Sequence, residues 1–341
     1  MLAGYHPSFQ RSALLVRNLA EASSLRAWVQ QQLIDVSWVG PTQRDALIRL
    51  AHYSTRIEGN PLTLPEVEAL AAGKDLPVEE RAKREVLNYF AALRWIWRSG
   101  PKVIQEADVL KLHRLLTQSI LPADEVGTYK TKPNAVFAGD QIIYRPPSPG
   151  LCPEFTRDLL KWLNSSDSLI EHPVIAAAIA HHRFVSIHPF TDGNGRASRC
   201  LESWILFRRE FDTHHIFALD EFFELDRKRY DREIQAARDR DNELTSWLEY
   251  VSEGVIVTLR KTQQRIQALR AKGTGPRITL NGTQERILQI LTQSPAMKGS
   301  DLAHALKISR ALFSRAMRPL LEAGLVVKEG STKAAVYRLK G

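Results

Sequence analysis

Residues 188–199 read His188-Pro189-Phe190-Thr191-Asp192-Gly193-Asn194-Gly195-Arg196-Ala197-Ser198-Arg199. The stretch follows an apolar run at 174–180 and leads into a helical pattern over 197–207, so it is a loop that feeds a helix N-terminus. The first N–H groups of a helix lack intrahelical partners and carry the positive end of the dipole, which favours a bound anion. Gly193 and Gly195 let backbone approach a phosphate closely. Arg196 and Arg199 are three residues apart and can project from one side of the first turn. Two cations there oppose the dipole unless something negative lies between them. Asp192 offers a hard oxygen ligand that could hold Mg²⁺ against phosphate oxygens, and His188 offers a base that titrates near neutral pH. Together these residue types describe phosphoryl-type transfer.

Outward from this loop, residues from about 14 to 273 repeat apolar positions at three- and four-residue spacing, as in 44–54 and 80–97, which predicts a mainly α-helical body. The segment 127–149 breaks that pattern. Gly127, several prolines and the apolar run 141–144 predict a short β-hairpin, placed as a flap over the helical core. At 271–276 the sequence AKGTGP has Gly, Pro and no apolar periodicity, as an interdomain linker does. A chain of 341 residues, 44% hydrophobic and without a repeat or long polar tract, can bury a sizeable core in two or three domains.

No apolar stretch approaches the roughly 18 residues that span a bilayer, and the start MLAGYHPSFQRS lacks the apolar core of a signal peptide. A cytoplasmic location is the expectation. Cys152 and Cys200 are the only cysteines, which leaves no disulfide framework or CxxC metal clip, and both read as buried small apolar residues. The pairs His181-His182 and His214-His215 do not read as metal sites, because neighbouring residues on a helix diverge.

Lys plus Arg number 47 against 38 Asp plus Glu. From Gly275 onward eleven bases stand against four acids, so seven of the nine excess charges lie in that tail. There, residues 283–292, 299–306 and 309–322 form three helical patterns, followed by β-like runs at 324–328 and 335–339 around Gly330. This is the order of a winged helix-turn-helix, a small α/β module. Ser309 is a plausible N-cap for a recognition helix carrying Arg310, Arg315 and Arg318, and a wing would bring Lys328, Lys333 and Arg338 near a phosphate backbone. DNA is an expected partner of 277–341, with dimerisation or protein docking as the alternative.

The stretch 188–199 matches the HPFxDGNGRxxR signature without a substitution, and in this the chain resembles the Fic (Fido) family. The resemblance implies an all-helical core and a protein adenylyltransferase that moves AMP from ATP to Ser, Thr or Tyr hydroxyls of a protein target, self-modification included. It implies that His188 is the general base on the target hydroxyl and that Asp192 holds Mg²⁺. Asn194 and the loop amides around Gly193 and Gly195 would grip the α- and β-phosphates, Arg196 and Arg199 the outer phosphates, and Phe190 would anchor the loop in the core. AMP transfer needs the α-phosphorus fixed in line and charge on the departing pyrophosphate neutralised, and each role serves that need. The related Doc kinases carry Lys where this chain has Gly195, which goes with another nucleotide orientation.

Gly127, Tyr129, Tyr144, Pro146 and Pro147 resemble the family's flap region, in which Gln141, Ile142, Ile143 and Tyr144 would hold the target's modifiable segment as an added strand. The sequence departs from the family at Lys130, where Arg is common, and at Arg229-Tyr230, where a Tyr pair is common. Upstream, Ser54-Thr55-Arg56-Ile57-Glu58-Gly59-Asn60 resembles the family's inhibitory (S/T)xxxE(G/N) motif, N-terminal to the core as in class II. Ser54 and Glu58 are four apart at a helix end and can share a face, with Gly59 as C-cap and Asn60 tolerating a turn. In the family this Glu pairs with the second Arg of the motif, here Arg199, and denies it to the γ-phosphate.

The expected division is an N-terminal helical region 1–95 with the inhibitory motif, a catalytic core 96–272 and a winged helix 277–341, in a homodimer. Two alternatives remain at this point. One is a DNA-binding regulator that uses the core as a nucleotide sensor, which would not need His188. The other is removal of AMP from the target, with Glu58 positioning a water.

Overall fold

The computed structural model describes residues 4–32, 39–100, 103–138, 140–212, 214–271, 282–294, 296–330 and 335–339. The chain divides into two compact units, Met1–Leu25 with Ala46–Arg260 and Arg26–Asp45 with Lys261–Gly341. The boundaries fall inside three helices, α1 (Ala13–Gln32), α2 (Val39–Ile57) and α12 (Thr245–Ala271). The linker expected at 271–276 lies outside the described residues after Ala271, which closes α12.

The first unit is helical apart from one hairpin. After α2 come α3 (Leu64–Ala71), α4 (Glu80–Ser99) and α5 (Glu106–Thr117), then β1 (Val136–Ala138) and β2 (Gln141–Tyr144). Next are α6 (Cys152–Leu163), α7 (Ser166–Ile170), α8 (Pro173–Ile187) and α9 (Asn194–Arg208), followed by α10 (Asp220–Leu225) and α11 (Arg227–Asp239). Local chemistry explains several ends. Helix α3 starts at a capping box, in which Thr63 N–H donates to Glu66 Oε2 at 2.7 Å. Helix α2 ends before Gly59, whose φ of 93° suits a residue without Cβ.

Helix α8 is buried on nearly every side, as expected of a segment apolar all round. It packs along α9; α4 and α5 pack on α9 and α6 on α8, so the loop 188–193 lies at the turn of a central helical hairpin. Trp204, Trp247, Phe184, Phe190 and Phe223 are fully buried around it, each contributing about 1.5–3 kcal/mol by leaving water. Both cysteines are free and buried. Strands β1 and β2 pair antiparallel with Phe137 opposite Ile142, and both of these side chains are exposed.

The boundary expected between 95 and 96 falls inside α4, where Leu93, Ile96 and Trp97 are all buried. The periodic run through 97 belongs to one helix of one core, and the segment 54–60 shares a compact unit with the loop 188–199.

In the second unit α13 (Gly282–Gln293), α14 (Gly299–Ala305) and α15 (Arg310–Glu322) enclose Ile287, Leu291, Leu302, Phe313, Met317, Leu320 and Val326. Ser309 caps α15, its Oγ accepting the Leu312 N–H at 3.2 Å. Beside the helices lies a three-stranded sheet of order β3 (Met297–Lys298), β5 (Val336–Leu339), β4 (Val326–Glu329). The two-residue β3 was not anticipated, being too short to show alternation. Lys333 and Arg277 lie outside the described residues. Among the described residues no helix is long and apolar enough to cross a membrane.

Candidate nucleotide site

Helix α8 stops because His188 turns into the left-handed region, φ 49° and ψ 57°. Its Nδ1 lies 3.3 Å from the Val185 carbonyl. A carbonyl only accepts, so Nδ1 carries the proton and Nε2 presents a lone pair. Burial pushes the His188 pKa down to about 4, with Lys130 and Arg238 adding to the effect. The imidazole is therefore neutral at pH 7 and able to accept a proton.

The chain after His188 is fixed through its carbonyls. The Lys130 N–H donates to Pro189 O at 2.9 Å, and Phe190 O accepts from Asn134 Nδ2 at 3.0 Å and Asn194 Nδ2 at 2.9 Å. The Phe190 N–H returns a bond to Asn194 Oδ1 at 2.9 Å. The Phe190 ring stacks on His113, centroids 3.8 Å apart, while His113 Nε2 lies 3.1 Å from Asp192 O. Gly193 adopts φ 79°, and a Cβ there would come 3.0 Å from Thr117 Cγ2.

Asn194 thus closes the loop on Phe190 with its amide oxygen and one of its two amide N–H groups, beside the backbone N–H groups at the start of α9.

Arg199 is 1% exposed yet richly partnered. Its Nε donates to Ser54 Oγ at 2.8 Å and its Nη2 to Ser54 O at 2.8 Å, with Asp220 Oδ1 3.1 Å from Nε and Tyr230 Oη 3.4 Å from Nη1. Tyr230 continues to His181 Nε2 at 2.9 Å, and His181 Nδ1 to Glu202 Oε2 at 2.9 Å. Burial holds His181 down at about 3 and pushes the Glu202 carboxyl well above its ordinary value.

Glu58 completes the cluster. Its Oε1 accepts from Arg199 Nη2 at 2.7 Å, with 32% of its side chain exposed. Burial alone would raise its pKa, but Arg199 and Arg196 outweigh that and hold the carboxyl below its ordinary value. The carboxylate lies directly over Gly195, where any Cβ would collide with Oε1. A negative group thus stands by the first turn of α9 under the pull of both arginines. Arg196, 2% exposed, reaches Asp192 Oδ2 at 3.3 Å and Glu85 Oε1 at 3.6 Å, while its Nε and Nη1 have no hydrogen-bond partner. Buried, unsatisfied guanidinium N–H groups fit an arriving phosphate oxygen.

Asp192 is the one carboxylate on the loop, its Oδ1 accepting the Gly193 N–H at 2.5 Å. Among the described residues no cluster of three or more His, Cys, Asp or Glu could hold a metal. A single hard oxygen suits Mg²⁺, which takes its remaining ligands from phosphate and water. Within the segment 54–60 Ser54 and Glu58 converge on Arg199. Gly59 turns the chain, and the buried Asn60 faces α4 instead, its Nδ2 donating to Ala82 O at 3.0 Å and Glu85 Oε2 at 2.8 Å.

In the flap Gln141 and Ile142 are exposed and Ile143 is half-buried. Tyr144 turns inward, donating to Ser186 O at 2.8 Å with the Arg238 guanidinium 3.9 Å above its ring. Lys130, buried, donates to Asn134 Oδ1 at 2.7 Å.

Sequence reading missed His113, Asn134, Asp220 and the His181–Glu202 pair. His113 left a faint signal, as a polar residue spaced with Val109, Leu112 and Leu116 on the buried face of α5.

Residues 103–206 match the Fic/DOC family model, and residues 280–327 match the model described as winged helix-turn-helix DNA-binding. The chain is 34% identical over 174 residues to protein adenylyltransferase fic-1 of Caenorhabditis elegans, an alignment covering 49% of this chain and 33% of the relative. It is 30% identical over 212 residues to protein adenylyltransferase Fic of Aedes aegypti, covering 58% and 41%. The chain thus spans well under half the length of these curated relatives. Among solved structures, a Fic family protein from Desulfovibrio desulfuricans matches its fold over 99% of both chains, with a TM-score of 0.69 at 24% identity. Fic-1 from C. elegans matches over 77% of this chain and 74% of its own, with a TM-score of 0.64 at 26% identity. The chain therefore carries a Fic/DOC family domain followed by a winged helix-turn-helix.

Proposed function

We propose that this chain transfers AMP from ATP to a Ser, Thr or Tyr hydroxyl of a protein, and that Glu58 restrains the reaction. The observation that carries the reading is the arrangement at the start of α9. A neutral His188, a buried Arg196 with unpartnered guanidinium N–H groups, and a carboxylate paired with Arg199 converge on one loop.

The target hydroxyl gives its proton to His188 Nε2 as its oxygen attacks the α-phosphorus; the bond from that phosphorus to the bridging oxygen breaks and pyrophosphate leaves. The N–H groups at the start of α9 and Arg196 stabilise charge on the phosphates, and Arg199 holds the γ-phosphate once Glu58 withdraws. Asp192 would hold Mg²⁺, which supplies charge neutralisation on the phosphates when bound.

Arg199 is anchored by Ser54, Asp220 and Tyr230 without Glu58, so losing the brake leaves the guanidinium in place. A charge-assisted bond of this kind contributes about 1.5–3 kcal/mol when buried, and with Glu58 a third exposed the lower end applies, roughly tenfold in occupancy. The test is incubation of wild type and Glu58→Gly with α-labelled and γ-labelled ATP. Protein labelled from the α-position alone supports AMP transfer, and label from the γ-position alone would replace it with phosphate transfer.

A second reading concerns the winged helix. Arg286 and Arg315 line a groove between α13 and α15, beside the exposed Arg310 and Arg318. Such a surface favours a polyanion, and duplex DNA is the partner proposed for it. A second copy of the chain is a further partner that the family resemblance supports.

A further inference from the structure

We infer that His113 is a positioning residue that ties the start of the flap segment to the phosphate loop. The inference rests on the AMP-transfer reading of that loop. His113 is fully buried on α5, with both ring nitrogens bonded and one face stacked. Its Nδ1 accepts the Gly127 N–H at 3.0 Å, so Nε2 carries the hydrogen and donates to Asp192 O at 3.1 Å. Its plane lies 9° from that of Phe190, the residue that pins the loop in the core.

Both ends of the bridge are tightly seated. Gly127 has φ 74°, and a Cβ there would meet Leu110 O and Arg114 Cβ at 3.1 Å, so its backbone lies directly on α5. Gly193 follows Asp192 against Thr117 and the same imidazole. The peptide whose carbonyl His113 holds links Asp192 to Gly193, and this sets the direction of the Gly193 N–H and the seat of the Asp192 side chain. The peptide held at Gly127 opens the segment that continues through Lys130 and Asn134, which grip Pro189 and Phe190, into β1 and β2. One ring therefore joins the segment leading to the flap with the loop that meets the nucleotide. A polar group buried with both nitrogens satisfied could serve packing alone, and the two bonds have to be separated to decide.

Three full-length variants in the Glu58→Gly background do so. His113→Phe keeps the stack and loses both bonds. His113→Gln reaches Asp192 O from its terminal amide, and His113→Asn offers an acceptor to Gly127 alone. With α-labelled ATP, His113→Phe should lower kcat tenfold to hundredfold with KM for ATP within about twofold, and should raise the Mg²⁺ concentration at half-maximal rate. His113→Gln should recover most of kcat and His113→Asn should not. Equal losses in all three, tracking their melting temperatures, or an undiminished kcat in His113→Phe, would overturn the positioning role. Amide exchange gives a readout free of activity: the Gly127 N–H should exchange faster in His113→Phe and His113→Gln, but not in His113→Asn. If the Glu58→Gly parent transfers no label, the AMP-transfer reading fails. The exchange pattern then decides the bridge by itself, since uniform Gly127 protection across the variants contradicts it.

Discussion

Arg199 and Glu58, 141 residues apart in the chain, meet at 2.7 Å beside the first turn of α9, with the guanidinium almost wholly buried and the carboxylate a third exposed. The asymmetry matters. The arginine is locked by Ser54, Asp220 and Tyr230, while the glutamate sits at the end of α2 beside Gly59 and depends on the two arginines for its place. Of the two partners, the carboxylate is the more accessible.

Replacing His188 by Ala should abolish transfer while leaving ATP affinity within about twofold, because a general base acts on the hydroxyl proton and scarcely touches the triphosphate. Equilibrium binding of ATP beside a turnover assay checks this. A loss of affinity as large as the loss of rate would contradict the role.

The low pKa of His188 sets a pH profile. With its value pushed down to about 4 by burial, the base stays unprotonated through the neutral range. The rate with Glu58→Gly should therefore hold from pH 7 to about 5.5 and fall only near 4. A fall centred at 6.5 would mean that the imidazole is solvated.

Stability should also depend on acid. His181 and His182 are buried, with pKa values near 3 against 6.5 unfolded. For such depressed values the unfolded state takes up protons first. Their contribution is complete above pH 6.5 and is lost as pH falls toward 3, by about 1.4 kcal/mol per pH unit and group. Denaturant melts at pH 7, 6 and 5 should show falling midpoints; a flat profile would contradict their neutral burial.

Tyr230→Phe removes the hydroxyl that bonds His181 Nε2 and faces Arg199. Leaving a buried ring nitrogen unsatisfied should cost about 1–3 kcal/mol, read as a lower urea midpoint. An unchanged midpoint would show that the network is not bonded as described.

The full chain should bind mixed duplex DNA with an affinity that falls steeply as salt rises. Replacing Arg310 and Arg315 together by Ala should flatten that slope by about one unit for each phosphate that is no longer neutralised. Absence of a salt-dependent shift at low ionic strength would remove the DNA reading.

What the sequence made legible follows the range of each signal. Helical periodicity and the run 188–199 are local, so the α-helical body, the hairpin within 127–149 and the loop before α9 could all be read from single segments. The cap at Ser309 was legible for the same reason. The partners of Arg199 were not, apart from Ser54 and Glu58, because Asp220 and Tyr230 reach it from two further helices and carry no spacing signal of their own. Asn194 shows a role that its type and place did not reveal, since its amide bridges to the Phe190 backbone at both ends and so shapes the loop. The boundary at 95 failed because the helical pattern carried no break there, and α4 runs on to Ser99.

The most direct test of the Glu58–Arg199 account is AMP incorporation from α-labelled ATP by wild type, Glu58→Gly, Arg199→Ala and the double variant. Glu58→Gly should raise incorporation roughly tenfold or more over wild type, and the gain should vanish when Arg199→Ala is added, since the freed guanidinium is what aligns the γ-phosphate. Incorporation unchanged by Glu58→Gly, or raised equally with Arg199→Ala present, would contradict the restraint assigned to this pair.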